Sequence, residues 1–277
     1  MEQNIITSRQ NPIVKDVCGL AEKKNREKNG LFRFDGFKLF SEAIDARMAF
    51  ERVIYREDVA ERANALISEA IAAGCCTKSA AVCVSASVFE KISEERAPEG
   101  VICVARMPRE LHRTYGGEVA TLEGERLLLA ESLRDPGNLG TVMRSCFALG
   151  IDRLILTSDC ADIYNPKTVR AAMGAIFKLD TTFVSPDELV GVIETLRSSG
   201  RRVYAAALAP NAVTIDKAEI AKGDCFVIGN EGHGLSADVV SACTAPVIIP
   251  MREGAESLNA AAAAAICIWE TVRASEE

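Results

Sequence analysis

The sequence predicts an α/β chain in two parts: a small N-terminal α/β domain, and a larger C-terminal region built on a mostly parallel sheet with helices on both faces. Three observations carry this. From Leu31 onward, short apolar runs alternate with helical patterns. Two runs near the end, Phe226–Ile228 and Val247–Ile249, are apolar throughout, as strands buried on both faces are, and each leads into a Gly-rich polar loop rather than a hairpin turn. Between the two parts, 107–125 holds a Pro, a Gly pair and no sustained period, so it reads as a linker joining 1–106 to 126–277.

Composition sets the bounds. At 277 residues, with 48% hydrophobic and 26% charged, the chain can bury a sizeable core. Aromatics are 5%, which argues against a broad aromatic platform for bases. The net charge of −7 argues against a general nucleic-acid coat but leaves room for a local basic patch. None of the ten Cys falls in a CxxC pair and there are two His, so no metal site is expected. Cys75–Cys76 reads as packing in a reducing compartment. The start, MEQNIITSRQ, has no apolar signal core and no apolar run reaches membrane-spanning length, so a cytoplasmic location away from membranes is expected.

Residues 1–40 hold eight basic residues (Arg9, Lys15, Lys23, Lys24, Arg26, Lys28, Arg33 and Lys38) against five acidic ones. Ile13, Val14, Val17, Leu20 and Ala21 recur at helical spacing, which gives an amphipathic helix with a wet basic face. That face is either simply solvated or a nucleic-acid contact. Strands follow at Leu31–Phe34, Val53–Tyr55, Ala81–Val84 and Val101–Ala105, with helices at Phe37–Ala46, Arg62–Ala73 and Ser87–Glu94. Gly74 sits where a helix stops, and Ser87 where one starts. His112 lies in the linker and reads as a surface residue. The second part has apolar segments at Leu127–Ala130, Leu154–Leu156, Phe183–Val184, Val203–Ala207, Phe226–Ile228 and Val247–Ile249. Helical stretches lie at Leu139–Leu149, Lys167–Met173, Asp187–Ser198 and Ala237–Ala242, and a last helix runs from about Ser257 to Arg273.

Three strand ends carry unusual polar content. The first, Glu131 to Gly140, opens a helix whose apolar stripe is Leu139, Val142, Met143, Cys146 and Leu149. Arg144 points away from that stripe, either to solvent or as a guanidinium ready to grip a phosphate. Asn138 is placed to cap this helix, a role that competes with ligand contact. The second is Ile228 to Ser236, where three glycines let a backbone approach a ligand closely. Its spacing is not GxGxxG, which disfavours a dinucleotide fold. Glu231 is framed by glycines there, and His233 lies in the same loop, a side chain whose ordinary pKa is near neutrality. The third runs from Ile249 through Ser257, a candidate N-cap, and Asn259 into six alanines. Leu258, Ala262, Ala265, Trp269 and Val272 share one face of the last helix.

Taken in order, DPGNLGTVMR, IGNEGHGLS and IPMREGAESLNAAAAAA resemble the three motifs of the SpoU/TrmH family of RNA ribose 2′-O-methyltransferases, in the SPOUT superfamily. The resemblance covers about Leu127 to Arg273. The opening, from ITSRQNPIVKD to KLFSEAI, is similar to the small RNA-binding domain of the ribosomal-RNA branch, itself like kink-turn-binding ribosomal proteins, with Asp35 where that domain more often has Glu.

The resemblance implies a C-terminal trefoil knot, a homodimer and a bent S-adenosylmethionine held in the knot. By motif position Gly229, Ile249 and Leu258 would line the cofactor pocket, and Asn138, Arg144, Glu231, Ser257 and Asn259 would form the catalytic set. The implied substrate is RNA, with 23S ribosomal RNA favoured by the two-domain layout over transfer RNA. A non-catalytic RNA-binding protein that retains the fold is the competing reading. A nucleotide-dependent metabolic enzyme is disfavoured by the missing fingerprint.

Overall fold

A computed structural model describes residues 5–115, 124–254 and 257–276. The chain divides into two compact units, Met1–Pro108 with Tyr164–Phe177, and Arg109–Ile163 with Lys178–Glu277.

The first unit opens with two short helices, α1 (Pro12–Gly19) and α2 (Lys23–Asn29), followed by β1 (Leu31–Asp35), α3 (Phe37–Asp45), β2 (Phe50–Arg56), α4 (Ala60–Ala72), β3 (Ala81–Val84), α5 (Ala86–Ile92) and β4 (Val101–Arg106). Pro12 fits the first turn of α1, and the Asn11 side chain accepts from Ile13 N at 2.9 Å, so the helix starts where backbone donors are covered. Gly74, at φ +75°, ends α4 as its position suggests. The four strands lie in the order β1-β4-β2-β3, with β3 parallel to β2 and the other pairs antiparallel. Val14, Val17 and Leu20 of the first turns pack with Ile54, Val82, Phe89 and Ile102 to form the core.

Two of the eight basic residues counted in 1–40 are buried. Arg26 donates to the carbonyls of Leu20 and Ala21 at 2.8 and 2.6 Å, and Arg33 donates to that of Ile92 at 2.8 Å while pairing with Glu94. A guanidinium has five donors, and carbonyls left over at helix ends accept from some of them here. The helix placed at Ser87 begins at Ala86, after Ser85.

The second unit starts with β5 (His112–Thr114), β6 (Leu127–Ala130), α6 (Pro136–Leu149) and β7 (Arg153–Thr157). The connection from β7 contains α7 (Pro166–Ala172), whose segment belongs to the first unit although it lies within the range 126–277. There Tyr164 packs tilted against Phe32 with ring centroids 4.8 Å apart, Phe177 against Phe34 at 5.1 Å, and Arg170 pairs with Glu95. The second unit continues with β8 (Asp180–Val184), α8 (Leu189–Ser198), β9 (Val203–Ala206), β10 (Val213–Thr214), β11 (Cys225–Ile228), α9 (Ala237–Ala242), β12 (Ala245–Ile248) and α10 (Ala260–Glu276).

Its eight strands lie in the order β10-β12-β9-β11-β6-β7-β8-β5, and every neighbouring pair is parallel. Leu127, Leu129, Val203, Ala205, Cys225 and Val227 pack against α8 and α9 on one face. The period of two sends Leu128, Tyr204 and Phe226 to the other face, where α10 packs on α6 and β11. Burial pushes the Cys225, Cys243 and Cys267 thiols up to about 12, so these residues are packing rather than reactive groups.

Three sequence expectations change in this unit. His112 is not a surface residue: it lies 8% exposed in β5, paired in register with Thr181, inside the stretch read as linker. The rest of that linker reading falls in part on 116–123, outside the described residues. The last helix begins at Ala260 rather than Ser257. Its buried face is Ala261, Ala264, Ile268, Thr271 and Val272, while Trp269 is 53% exposed. Six consecutive alanines carry no stripe, so the choice of face was left to tertiary packing.

Candidate active site at the carboxyl edge of the parallel sheet

In an all-parallel sheet every strand delivers its following loop to the same edge, where the open ends of helices and strands leave backbone donors and acceptors available. Here the loops after β6, β11 and β12 meet. Asp135 caps α6, its Oδ1 accepting from Asn138 N at 2.8 Å, with Pro136 in the first turn. Asn138 is therefore not the cap, and its side chain is released for other contacts. Its Nδ2 donates to Glu231 Oε1 at 3.2 Å, and its Oδ1 accepts from Asn259 Nδ2 at 2.9 Å. Glu231 also accepts from the backbone N–H groups of Arg134 and Asp135, each at 3.2 Å.

Asn259, not Ser257, caps α10. Its Oδ1 accepts from Ala261 N at 3.0 Å and Ala262 N at 3.3 Å. One amide thus holds the start of the last helix and the Asn138 side chain at once. Three of the five catalytic candidates form one hydrogen-bonded chain, Asn259–Asn138–Glu231. The other two lie outside it. Arg144 is exposed on α6, opposite buried Leu139, Val142, Met143 and Cys146, and has no hydrogen-bond or ion-pair partner among the described residues. Ser257 is exposed in the loop before the helix.

Of the cofactor candidates, Gly229 is buried at the end of β11. A Cβ there would lie 2.4 Å from the carbonyl carbon of Gly234 and 2.5 Å from Leu235 N, so the loop backbone closes directly over it. Ile249 is half-buried just past β12, and Leu258 is 40% exposed beside Asn259. His233 is exposed in the same loop.

Sequence reasoning passed over the residues that hold these loops together. Asn230 donates from Nδ2 to the carbonyl of Ser132 at 2.7 Å, and its Oδ1 accepts from Gly232 N at 2.8 Å and His233 N at 3.1 Å. Its backbone exchanges two hydrogen bonds with Gly234, at 2.9 and 3.0 Å. Buried Glu131 accepts from Ser236 N at 2.8 Å. Asp159, in the loop after β7, accepts from Ser132 Oγ and from the Arg134 guanidinium, both at 2.6 Å. Burial pushes the Asp159 carboxyl up, but hydrogen bonds from Ser132, Thr157 and Arg134 outweigh it and hold the pKa below the usual range. Ser132 sits at φ +54°, a conformation these bonds support. The one available signal was Asn230 itself, a two-way hydrogen-bonding side chain between two glycine-rich turns.

The edge therefore mixes acceptor carboxylates with accessible apolar side chains, Leu258 and the 64%-exposed Leu208 just past β9. Among the described residues there is no group of His, Cys, Asp and Glu that could hold a metal ion, and no helix long and apolar enough to cross a membrane.

Such a fold and loop cluster define an α/β domain of the kind that binds its ligand at the carboxyl edge of a parallel sheet. The chain belongs to the SpoU rRNA Methylase family, whose model matches residues 125–269, and residues 11–103 match the MRM3-like substrate binding domain. The 23S rRNA (guanosine(2553)-2′-O)-methyltransferase RlmP of Bacillus subtilis (strain 168) is 30% identical over 264 residues, 95% of this chain and 97% of that protein. An AdoMet-bound rRNA methyltransferase from Sinorhizobium meliloti superposes with a TM-score of 0.80 at 28% identity, covering 99% of this chain and 98% of its own. AviRb, the SpoU methyltransferase of Streptomyces viridochromogenes in complex with AdoMet, does so at 0.78 with 26% identity, covering 95% and 98%. The mostly parallel α/β architecture read from the sequence is that of this family, and the cofactor is S-adenosylmethionine.

Proposed function

We propose that this chain methylates a ribose 2′-hydroxyl in RNA, with 23S ribosomal RNA as the substrate, and that Asn138, Arg144, Glu231, Ser257 and Asn259 form its active site. The supporting observation is the Asn259–Asn138–Glu231 chain, which joins side chains 121 and 93 residues apart at one sheet edge. Gly229, Ile249 and Leu258 line the cofactor pocket in this reading. When bound, S-adenosylmethionine supplies a methyl group already activated by its sulfonium.

The protein's task is then alignment and help in ionising a poor acid. Arg144 binds the phosphate beside the target ribose, and its fixed positive charge lowers the pKa of the hydroxyl. Glu231, held by two backbone N–H groups, fixes the Asn138 amide, and Asn138 fixes Asn259. Ser257 contacts the substrate from the same loop. Residues 1–106 bind the RNA. A trefoil knot in the C-terminal region, a homodimer and a cytoplasmic location belong to the same proposal, on the strength of family membership.

The test is transfer of tritiated methyl from S-adenosylmethionine to ribosomal RNA, with Arg144→Ala alongside wild type. The variant is expected to bind the cofactor normally and to lose methyl transfer by roughly a hundredfold or more. Wild-type turnover in that variant overturns the assignment, and light scattering of the purified chain tests the homodimer.

A further inference from the structure

The first unit contains a recess of about 450 Å³ between α1, α2 and the β1–β4–β2 part of its sheet. Its apolar wall is Ile13, Val17, Leu20, Leu31 and Val104. Polar groups on the lining are unevenly divided between donors and acceptors. Asn25 spends its Nδ2 on the carbonyl of Gly19 at 2.9 Å, and Asn29 spends its own on the carbonyl of Asn25 at 2.9 Å. Both Oδ1 atoms therefore remain as acceptors without a partner among the described residues. The carboxylates of Asp16 and Glu51 add further acceptors, although Glu51 also pairs with Arg52 at 3.6 Å and Arg106 at 2.9 Å. Lys15 and Arg52 are the cations on the lining.

Resting on the reading that this chain acts on RNA, we infer that the recess takes one unstacked RNA base that carries an exocyclic amino group. The volume lies in the range of small-ligand sites and admits a base with part of its ribose. The apolar wall suits the flat face of a base, and sequence-specific RNA recognition works on bases splayed out of the stack. Acceptors facing an amino group are satisfied, as with the amino groups of adenine and cytosine. Uracil offers a single N–H flanked by two carbonyls, so it pairs fewer of the same acceptors. Exposed Lys15 holds a flanking phosphate. Lys24 and Lys28 extend the positive charge along α2. This places a base-reading site on the first unit, separate from the residues that carry the methyl-transfer chemistry.

The experiment uses the full chain and three fluorescein-labelled octamers, A8, C8 and U8, followed by fluorescence anisotropy at fixed salt. A8 and C8 are expected to bind roughly tenfold more tightly than U8. Asn29→Trp, which fills the mouth from an exposed helix end, removes that preference. Lys15→Ala weakens all three octamers alike and makes the salt dependence shallower by about one phosphate contact. Equal binding of the three octamers by wild type overturns the inference. So does a preference that survives Asn29→Trp, or saturation by 5′-AMP alone at lower concentration than by A8. If ribosomal RNA is methylated while no octamer shows a base preference, the recess falls and the methyltransferase reading stands. If A8 and C8 are preferred while ribosomal RNA is not methylated, the recess stands and that reading falls.

Discussion

Replacing Gly229 by Ala adds a methyl group where the loop backbone already sits. The new Cβ meets the Gly234 carbonyl carbon at 2.4 Å, Leu235 N at 2.5 Å and the Gly234 oxygen at 2.7 Å. Ordinary contact between such atoms is about 3.5 Å, so this backbone must retreat by about 1 Å. No side-chain rotation relieves the clash, because all three of these neighbours are main chain. A retreat of that size pulls apart the Asn230–Gly234 pair of backbone bonds, at 2.9 and 3.0 Å. Overpacking costs about 1–3 kcal/mol and each lost bond about 1 kcal/mol, which gives about 3–5 kcal/mol in all. For a unit of this size that lowers the unfolding midpoint by about 6–20 °C. Scanning calorimetry reads the midpoint, and titration calorimetry reads S-adenosylmethionine binding, expected to weaken at least about tenfold as the loop leaves its place. A midpoint within 2 °C of wild type (roughly half a kcal/mol) together with unchanged cofactor affinity refutes the claim that this loop closes on Gly229.

Asn230→Asp keeps the acceptors for Gly232 and His233 but turns the donor at Ser132 into a second acceptor. It should cost about 2–3 kcal/mol and at least tenfold in methyl transfer, and Asn230→Gln should not restore it. Asp135→Ala removes the α6 cap, lowering stability by about 1 kcal/mol, whereas Asp135→Asn retains most of it; parallel urea titrations distinguish them. Burial raises the Asp35 carboxyl from 3.8 to about 6, with Arg33 and a 3.1 Å bond from Ser93 opposing and Glu95 assisting. Because the folded value lies above the unfolded one, proton uptake stabilises the fold. That stabilisation is complete below about pH 4 and is lost as pH rises through 6, a change of up to about 3 kcal/mol. Asp35→Asn should therefore raise the melting midpoint at pH 8 and leave it unchanged at pH 4, and equal effects at both would exclude this account.

Much of this fold was legible because parallel strands buried on both faces leave continuous apolar runs, as at Leu127–Ala130 and Phe226–Ile228, and the Gly-rich loops after them mark the site. The caps were not. Asp135 and Asn138, and likewise Ser257 and Asn259, are all competent cappers a few residues apart, and only the folded geometry selects one of each pair. The choice matters for chemistry, since it leaves the Asn138 side chain free to reach Glu231 and gives Asn259 two tasks. Arg26 and Arg33 look like surface charge in a sequence because their partners are carbonyls, which every residue has. β5 went unseen since an edge strand of three residues needs no apolar run. Asn230 and Asp159 hold the loops through bonds to main chain and to Ser132, contacts that no spacing rule encodes.

The first unit completes its aromatic core with Tyr164 and Phe177, drawn from the excursion between β7 and β8. The half that matches the substrate binding domain is thus not a detachable cassette. A fragment ending at Pro108 would leave Phe32 and Phe34 uncovered and Glu95 without Arg170, and would be prone to aggregate. A chimaera that exchanges this half with a relative must carry two separate pieces of chain. Divergence in one piece must then be matched in the other, which ties the evolution of this half to a stretch inside the matched methylase region.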